Sequence, residues 1–222
     1  MEEPKIAVGV CDGYREVRGR LNGPYRSGAI TLSGEFSARP QGDAVSLCDA
    51  FGREILRAPE IRLTAERPGN FTLHDVTIGI RFHWERREEQ TFSGDLRFLA
   101  AGGEKLTAVN EVPVEEYLSS VVASEMNGAA PPAFLKAHAI ASRSWLVRML
   151  AQRREKPARG NGQETVVRQN GEVVRWYDRE DHALFDVCAD DHCQRYQGIN
   201  AGASGKAADA VRETRGVLLI AG

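Results

Sequence analysis

The strongest constraint on this fold is a change of hydrophobic period near residue 113. Up to about residue 111, apolar and polar residues alternate in short runs broken by glycine, as half-buried strands do. Ile6–Val10, Ile61–Ala65, Phe71–Ile80, Gln90–Leu99 and Lys105–Val109 read as strands, with turns at Asn22-Gly23 and Gly102-Gly103. From Val114 onward the apolar residues recur three and four apart, which predicts a helix over about 113–127. Asn127-Gly128 supplies a stop, because both residues tolerate left-handed backbone. Pro131-Pro132 opens a second helix over about 132–152. Its residues Leu135, Ala139, Ser142, Leu146 and Leu150 form a stripe, flanked by Phe134, Ala137, Ile140 and Val147, so it reads as packed on most sides. A hairpin over Val166–Tyr177, turning at Asn170-Gly171, comes next. A short helix over Lys206–Arg215 and a strand over Val217–Ile220 end the chain. The expected class is α+β. A β-rich region spans 1–104 and a mixed core spans 105–222, as two domains or one continuous domain.

One carboxylate stands out inside the first helix. Tyr117, Leu118, Val121, Val122, Glu125 and Met126 share a face that is apolar except for Glu125. Glu115, Ser119 and Ala123 lie on the other side. An acid on a buried face resists ionisation, and the helix C-terminus pushes the same way. A carboxylic acid held protonated near neutrality is what a general acid needs. The alternative is a glutamate paired with a buried base. Arg143, in the middle of the second helix, reads either as a snorkelling surface residue or as a guanidinium facing Glu125.

A second cluster runs from His182 through Cys188 to His192 and Cys193, two imidazoles and two thiols within twelve residues. Such donors suit tetrahedral zinc, and four of them make a closed structural site. The spacing is not that of a zinc finger. His192 and Cys193 are adjacent, so the backbone must bend for both to reach one ion. A Cys188–Cys193 disulfide or two free thiols is the alternative. Asp190 and Asp191 could orient the ligands. Cys11 and Cys48 lie in strand contexts and read as buried or free thiols.

Composition narrows the function classes. With 222 residues, 42% of them hydrophobic, the chain can bury a sizeable core. A net charge of -2 argues against nucleic acid as partner. The basic run of Arg148, Arg153, Arg154, Lys156 and Arg159 reads as a solvated helix end. His74 and His83 read as structural. No apolar stretch is long enough to form a transmembrane segment, and the acidic start lacks the pattern of a signal peptide.

The run Val114–Met126, followed by Pro131 and Leu135–Trp145, resembles the SpoIID/LytB domain, with His138 where glutamine is usual. Asp186, Gln194, Tyr196 and Gly198 match a later family segment, and Thr214–Leu219 matches its last strand. The resemblance covers roughly residues 105–222. The family includes a stage II sporulation peptidoglycan lytic transglycosylase and proteins described as amidase enhancers.

The resemblance implies roles for particular residues. Glu125 aligns with the catalytic glutamate and Arg143 with the arginine near it. Gln194 and Tyr196, with Ser124 and Tyr117, would contact the glycan. Members with a similar His/Cys cluster bind zinc, which implies a structural zinc at His182, Cys188, His192 and Cys193. The partners implied are peptidoglycan glycan strands and, for an enhancer, a cell-wall amidase. The compartment implied is the cell envelope. The family pattern runs on past Gly222, so truncation at the C-terminus is one reading. The implied reaction cleaves the β-1,4 bond between N-acetylmuramic acid and N-acetylglucosamine with closure of a 1,6-anhydro ring. A single carboxylate can serve both steps, whereas glycosidases use two. Glu115, Glu116, Asp186, Asp190 and Asp191 are the candidates for a second. A non-catalytic enhancer and a zinc hydrolase are the competing readings.

Overall fold

The computed structural model describes residues 3–66, 68–80, 82–126, 130–155, 165–169, 172–176, 182–199 and 205–220. Ten strands come first: β1 (Lys5–Tyr14), β2 (Val17–Ser27), β3 (Ile30–Gln41), β4 (Ala44–Asp49), β5 (Glu54–Ala58), β6 (Glu60–Ala65), β7 (Asn70–Ile78), β8 (Arg86–Ser93), β9 (Asp95–Gly102) and β10 (Lys105–Pro113). The helices α1 (Val114–Glu125) and α2 (Pro132–Glu155) follow. A hairpin of β11 (Thr165–Gln169) and β12 (Glu172–Trp176), a two-residue β13 (Val187–Cys188) and α3 (Gly205–Glu213) complete the described residues. The chain is α+β, with strands before helices, as the change of period predicts.

One sheet runs β13-β1-β10-β9-β6-β2-β3-β4-β5, and β7 branches from β2 to carry β8. All pairings are antiparallel except β13 on β1. The sheet crosses residue 104 without a break, because β9 and β10 pair with each other. Helix α1 starts where β10 ends, and the Val114 N–H donates to the Pro4 carbonyl. Glu115 and Glu116 stand in its first turn, where the helix dipole favours negative charge. Helix α3 packs on both α1 and α2.

Inside, five rings form a column. Tyr25 meets Phe71, Phe71 meets Phe92, Phe92 meets Tyr196, and Tyr196 stacks on Tyr117 at 5.2 Å. The column joins β2, β7, β8 and α1 through a residue that arrives from far down the chain. Asn110, fully buried on β10, accepts the Tyr196 hydroxyl at 2.6 Å and donates to the carbonyls of Ser93 and Asp95.

The structure corrects several expectations of local structure. Asn22-Gly23 is not a turn but lies within β2, at the irregularity where that strand passes from β7 to β6. Asn22 there donates to Asn70 and Thr72, and the hairpin turns at Gly28 instead. Gln90–Leu99 is two strands, parted by Gly94 at φ 90°. A Cβ at Gly94 would lie 2.5 Å from the Glu111 carbonyl oxygen, so the crossing requires glycine. Helix α2 buries Leu135, Ala139, Ser142, Arg143 and Leu146 but exposes Phe134 and Val147, so it packs on one side rather than most. Val217–Ile220 forms no strand. Leu219 donates its N–H to the Ser144 hydroxyl on α2 instead. The Asn170-Gly171 turn lies outside the described residues.

Asn110→Leu would strip the Tyr196 hydroxyl and two carbonyls of their buried partner. The expected loss is about 3 kcal/mol of folding stability, read as a lower urea midpoint at unchanged slope.

Candidate functional site

Helix α1 drives Tyr117, Leu118, Val121 and Val122 fully into the core. Its last turn emerges at the rim, so Glu125 is half-buried rather than interior. Its carboxylate is held from two sides. Oε2 lies 2.8 Å from His138 Nε2, and Oε1 accepts the main-chain N–H of Arg195 at 3.0 Å. His138 and Ser142 are four apart on α2 and share a face. The Ser142 hydroxyl lies 3.4 Å from the same imidazole nitrogen. The result is a carboxylate–imidazole pair, partly screened from water, with one carboxylate oxygen fixed by the backbone.

Arg143 is deeply buried, but the structure does not turn it toward Glu125. Its guanidinium forks onto Glu115 at 2.9 and 2.6 Å and donates to the carbonyls of Val211 and Val217. The reason is geometric. Arg143 lies five residues after His138, about 140° further round the helix. Glu115 and Glu125 are ten residues apart, roughly 15 Å along α1. The reading of a guanidinium at the Glu125 site is therefore corrected. Arg143 clamps α1, α2 and the chain around α3 instead.

Three of the expected glycan contacts are also interior. Tyr117 and Tyr196 stack in the ring column, and burial drives both phenols far above their ordinary range, so they remain neutral donors. Gln194 accepts from the Tyr117 hydroxyl at 3.2 Å and donates to the Ser142 carbonyl. Ser124 is half-exposed, with its hydroxyl oxygen buried and without a hydrogen-bond partner among the described residues. These four residues shape the Glu125 end of α1 from within.

His182, Cys188, His192 and Cys193 converge as the sequence suggested, and their ligand atoms lie within 4.8 Å of one another. The cysteines are free thiols, not a disulfide. Three of the N···S separations are 3.3 Å (His182 to Cys193), 3.8 Å (Cys188 to His192) and 3.6 Å (Cys193 to His192). A tetrahedral zinc with ordinary Zn–S and Zn–N bonds sets such edges at about 3.6 Å. The donor set and its spacing fit zinc. A turn closed by the Cys193 N–H on the Asp190 carbonyl lets adjacent His192 and Cys193 face one point. Cys188 is pushed up to about 11, first by its hydrogen bond with Cys193 and then by burial. A bound divalent cation would reverse that preference, since thiolates are the ligating form. Asp190 accepts the N–H groups of Gly79 and Ile80, and Asp191 pairs with Arg195.

The cluster is fastened to the sheet. Val187 and Cys188 pair with Val8 and Gly9, and the Asp186 carboxylate accepts the Ala7 N–H. Gly9 is needed there, because a Cβ would lie 2.6 Å from the Phe185 ring. Arg195 follows Cys193 by two residues. The four-ligand loop thus positions the N–H that holds Glu125. A glutamate paired with a base was the alternative reading of Glu125, and His138 is such a partner, but neither His138 nor the Arg195 N–H was named from the sequence. His138 offered a signal, as one of two polar residues four apart on an alanine-rich helix. Arg195 offered none, since it contributes only main chain.

The family model described as Stage II sporulation protein, SpoIID, matches residues 102–220. No curated protein and no solved structure matches the chain significantly.

Elemental analysis is expected to find one zinc per chain, lost in Cys193→Ser. Chelation should lower the melting temperature, because a closed four-ligand site contributes to folding. Separately, Arg143→Met would leave Glu115 without its buried partner and cost about 3 kcal/mol in a denaturant titration.

Proposed function

The chain belongs to the SpoIID family, and from that membership we propose that it is a peptidoglycan lytic transglycosylase with Glu125 as its general acid and base. The observation that supports this reading is that Glu125 stands at the rim beside His138, while each of the other candidate carboxylates is tied to a different part of the fold. Glu115 pairs with Arg143, and Glu116 accepts from Ser93. Asp186 takes the Ala7 N–H, Asp190 takes two N–H groups of the β7–β8 loop, and Asp191 pairs with Arg195. A hydrolytic mechanism needs a second carboxylate to direct water or to attack. An intramolecular one does not.

In the proposed reaction, Glu125 gives its proton to the glycosidic oxygen between N-acetylmuramic acid and N-acetylglucosamine. The bond from that oxygen to muramoyl C1 breaks. The C6 hydroxyl of the muramoyl sugar then closes on C1, and its proton returns to Glu125. Oε1 accepts the Arg195 N–H, so Oε2, facing His138, is the oxygen that carries the proton. His138, in hydrogen-bond contact with Oε2, holds the carboxyl group in place against the Arg195 N–H. The metal, when bound, supplies rigidity to the loop before Arg195. The substrate places the enzyme in the cell envelope, where a wall amidase is a natural partner. Among the described residues no helix is long and apolar enough to cross a membrane.

The competing reading, a non-catalytic amidase enhancer, predicts an exposed Glu125 or one neutralised by Arg143. The His138 and Arg195 contacts favour the enzyme. Mass spectrometry of soluble products from purified peptidoglycan decides between them. Anhydromuramoyl products are expected from the wild type, reduced about 10²- to 10⁴-fold in Glu125→Gln. His138→Gln should retain more activity than His138→Ala, because it preserves a hydrogen-bonding group. Reducing-end products would instead mean hydrolysis. Glycan binding without any product would mean an enhancer.

A further inference from the structure

Phe82 and Trp84, between β7 and β8, are large aromatic residues that neither the sheet nor the Glu125–His138 pair uses. They lie outside the segment that matches the family model. The loop is tightly built. The Phe82 N–H donates to the Gly79 carbonyl and the Glu85 N–H to the Phe82 carbonyl. Gly79 has φ +69°, and a Cβ there would lie 2.2 Å from the Trp84 ring, so the indole rests on bare backbone. Phe82 stacks on Trp84 with centroids 5.4 Å apart and planes 14° from parallel. The Arg195 guanidinium sits 4.9 Å from the Trp84 ring centroid. Phe82 is nevertheless 48% exposed and its neighbour Ile80 47%. A fixed, flat apolar surface facing water asks for an explanation.

Its position supplies one. Arg195 joins three groups, and its guanidinium is steadied by Asp191. Its N–H holds Glu125 Oε1, and its guanidinium covers Trp84. The aromatic pair therefore stands one arginine side chain from the catalytic oxygen. Asp190, two residues after the ligand Cys188, ties Gly79 and Ile80 to the same loop. The surface cannot shift independently of the site.

We propose that Phe82, backed by Trp84, is a stacking platform for a pyranose ring of the glycan strand flanking the bond cleaved at Glu125. A β-1,4-linked N-acetylglucosamine ring carries its substituents at the edge, leaving two faces of C–H groups. Such a face matches a flat aromatic ring in shape and polarity, and a pre-set ring binds it without losing rotamer freedom. The β-rich N-terminal region thereby contributes to substrate binding. This inference rests on the glycan-cleaving reading above.

The test measures binding in the Glu125→Gln protein, which removes turnover. The probes are purified peptidoglycan, by sedimentation, and a soluble β-1,4-linked N-acetylglucosamine tetramer, by calorimetry. Adding Phe82→Ala should weaken both about tenfold. Phe82→Leu, apolar but not flat, should behave like alanine. Phe82→Tyr should bind like the parent, with all melting temperatures unchanged. In the active protein, Phe82→Ala should raise the half-saturating substrate concentration and leave the maximal rate nearly intact. If the parent binds glycan and Phe82→Ala binds equally well, the platform is overturned while the enzymatic reading stands. If the parent binds no glycan and the wild type releases no product, both fall.

Discussion

The site depends on the burial of one tyrosine. Tyr196 enters the interior between Tyr117 and Phe92 and gives its hydroxyl to Asn110. Two residues earlier, Gln194 is also buried, tied to Tyr117 and to the Ser142 carbonyl. Gln194 and Tyr196 are thus anchored inward on either side of Arg195, whose N–H meets Glu125. The core thus sets the geometry around Glu125, and a polar contact at the rim inherits its precision from an aromatic column.

The two ends of α1 have separate tasks. At the N-terminal end, Glu115 and the buried Arg143 lock the helix to α2 and to the chain around α3. At the C-terminal end, Glu125 is left with a partner that can gain or lose a proton. The buried arginine thus serves the N-terminal carboxylate of α1, and the C-terminal one is held by an imidazole and a main-chain N–H.

Much of this was legible in the sequence, and the misses have causes. The period change near residue 113 located α1 and α2, and the spacing of His182, Cys188, His192 and Cys193 located the ligand cluster, because both patterns are local. The face of Glu125 was read correctly for Tyr117, Val121 and Val122 but overestimated its burial, since periodicity gives direction and not depth. Arg143 was assigned to the wrong carboxylate because two acids on α1 lie within reach of different faces of α2, and only tertiary packing chooses between them. Tyr196 and Gln194 were taken for glycan contacts because they match a segment of the resembled family, and a matching motif does not say which of its side chains are buried. Asn22-Gly23 failed as a turn because strand β2 changes partners there.

A main-chain donor has an evolutionary consequence. The N–H on Glu125 Oε1 is encoded by no side chain, so substitution at position 195 leaves it in place, proline excepted. A change of side chain there would cost the Asp191 and Trp84 contacts but leave the donor to Oε1 in place. Constraint on this contact falls instead on the residues that seat the chain on either side of it, the buried Gln194 and Tyr196. Loss of either anchor would displace the donor with no change at position 195 itself.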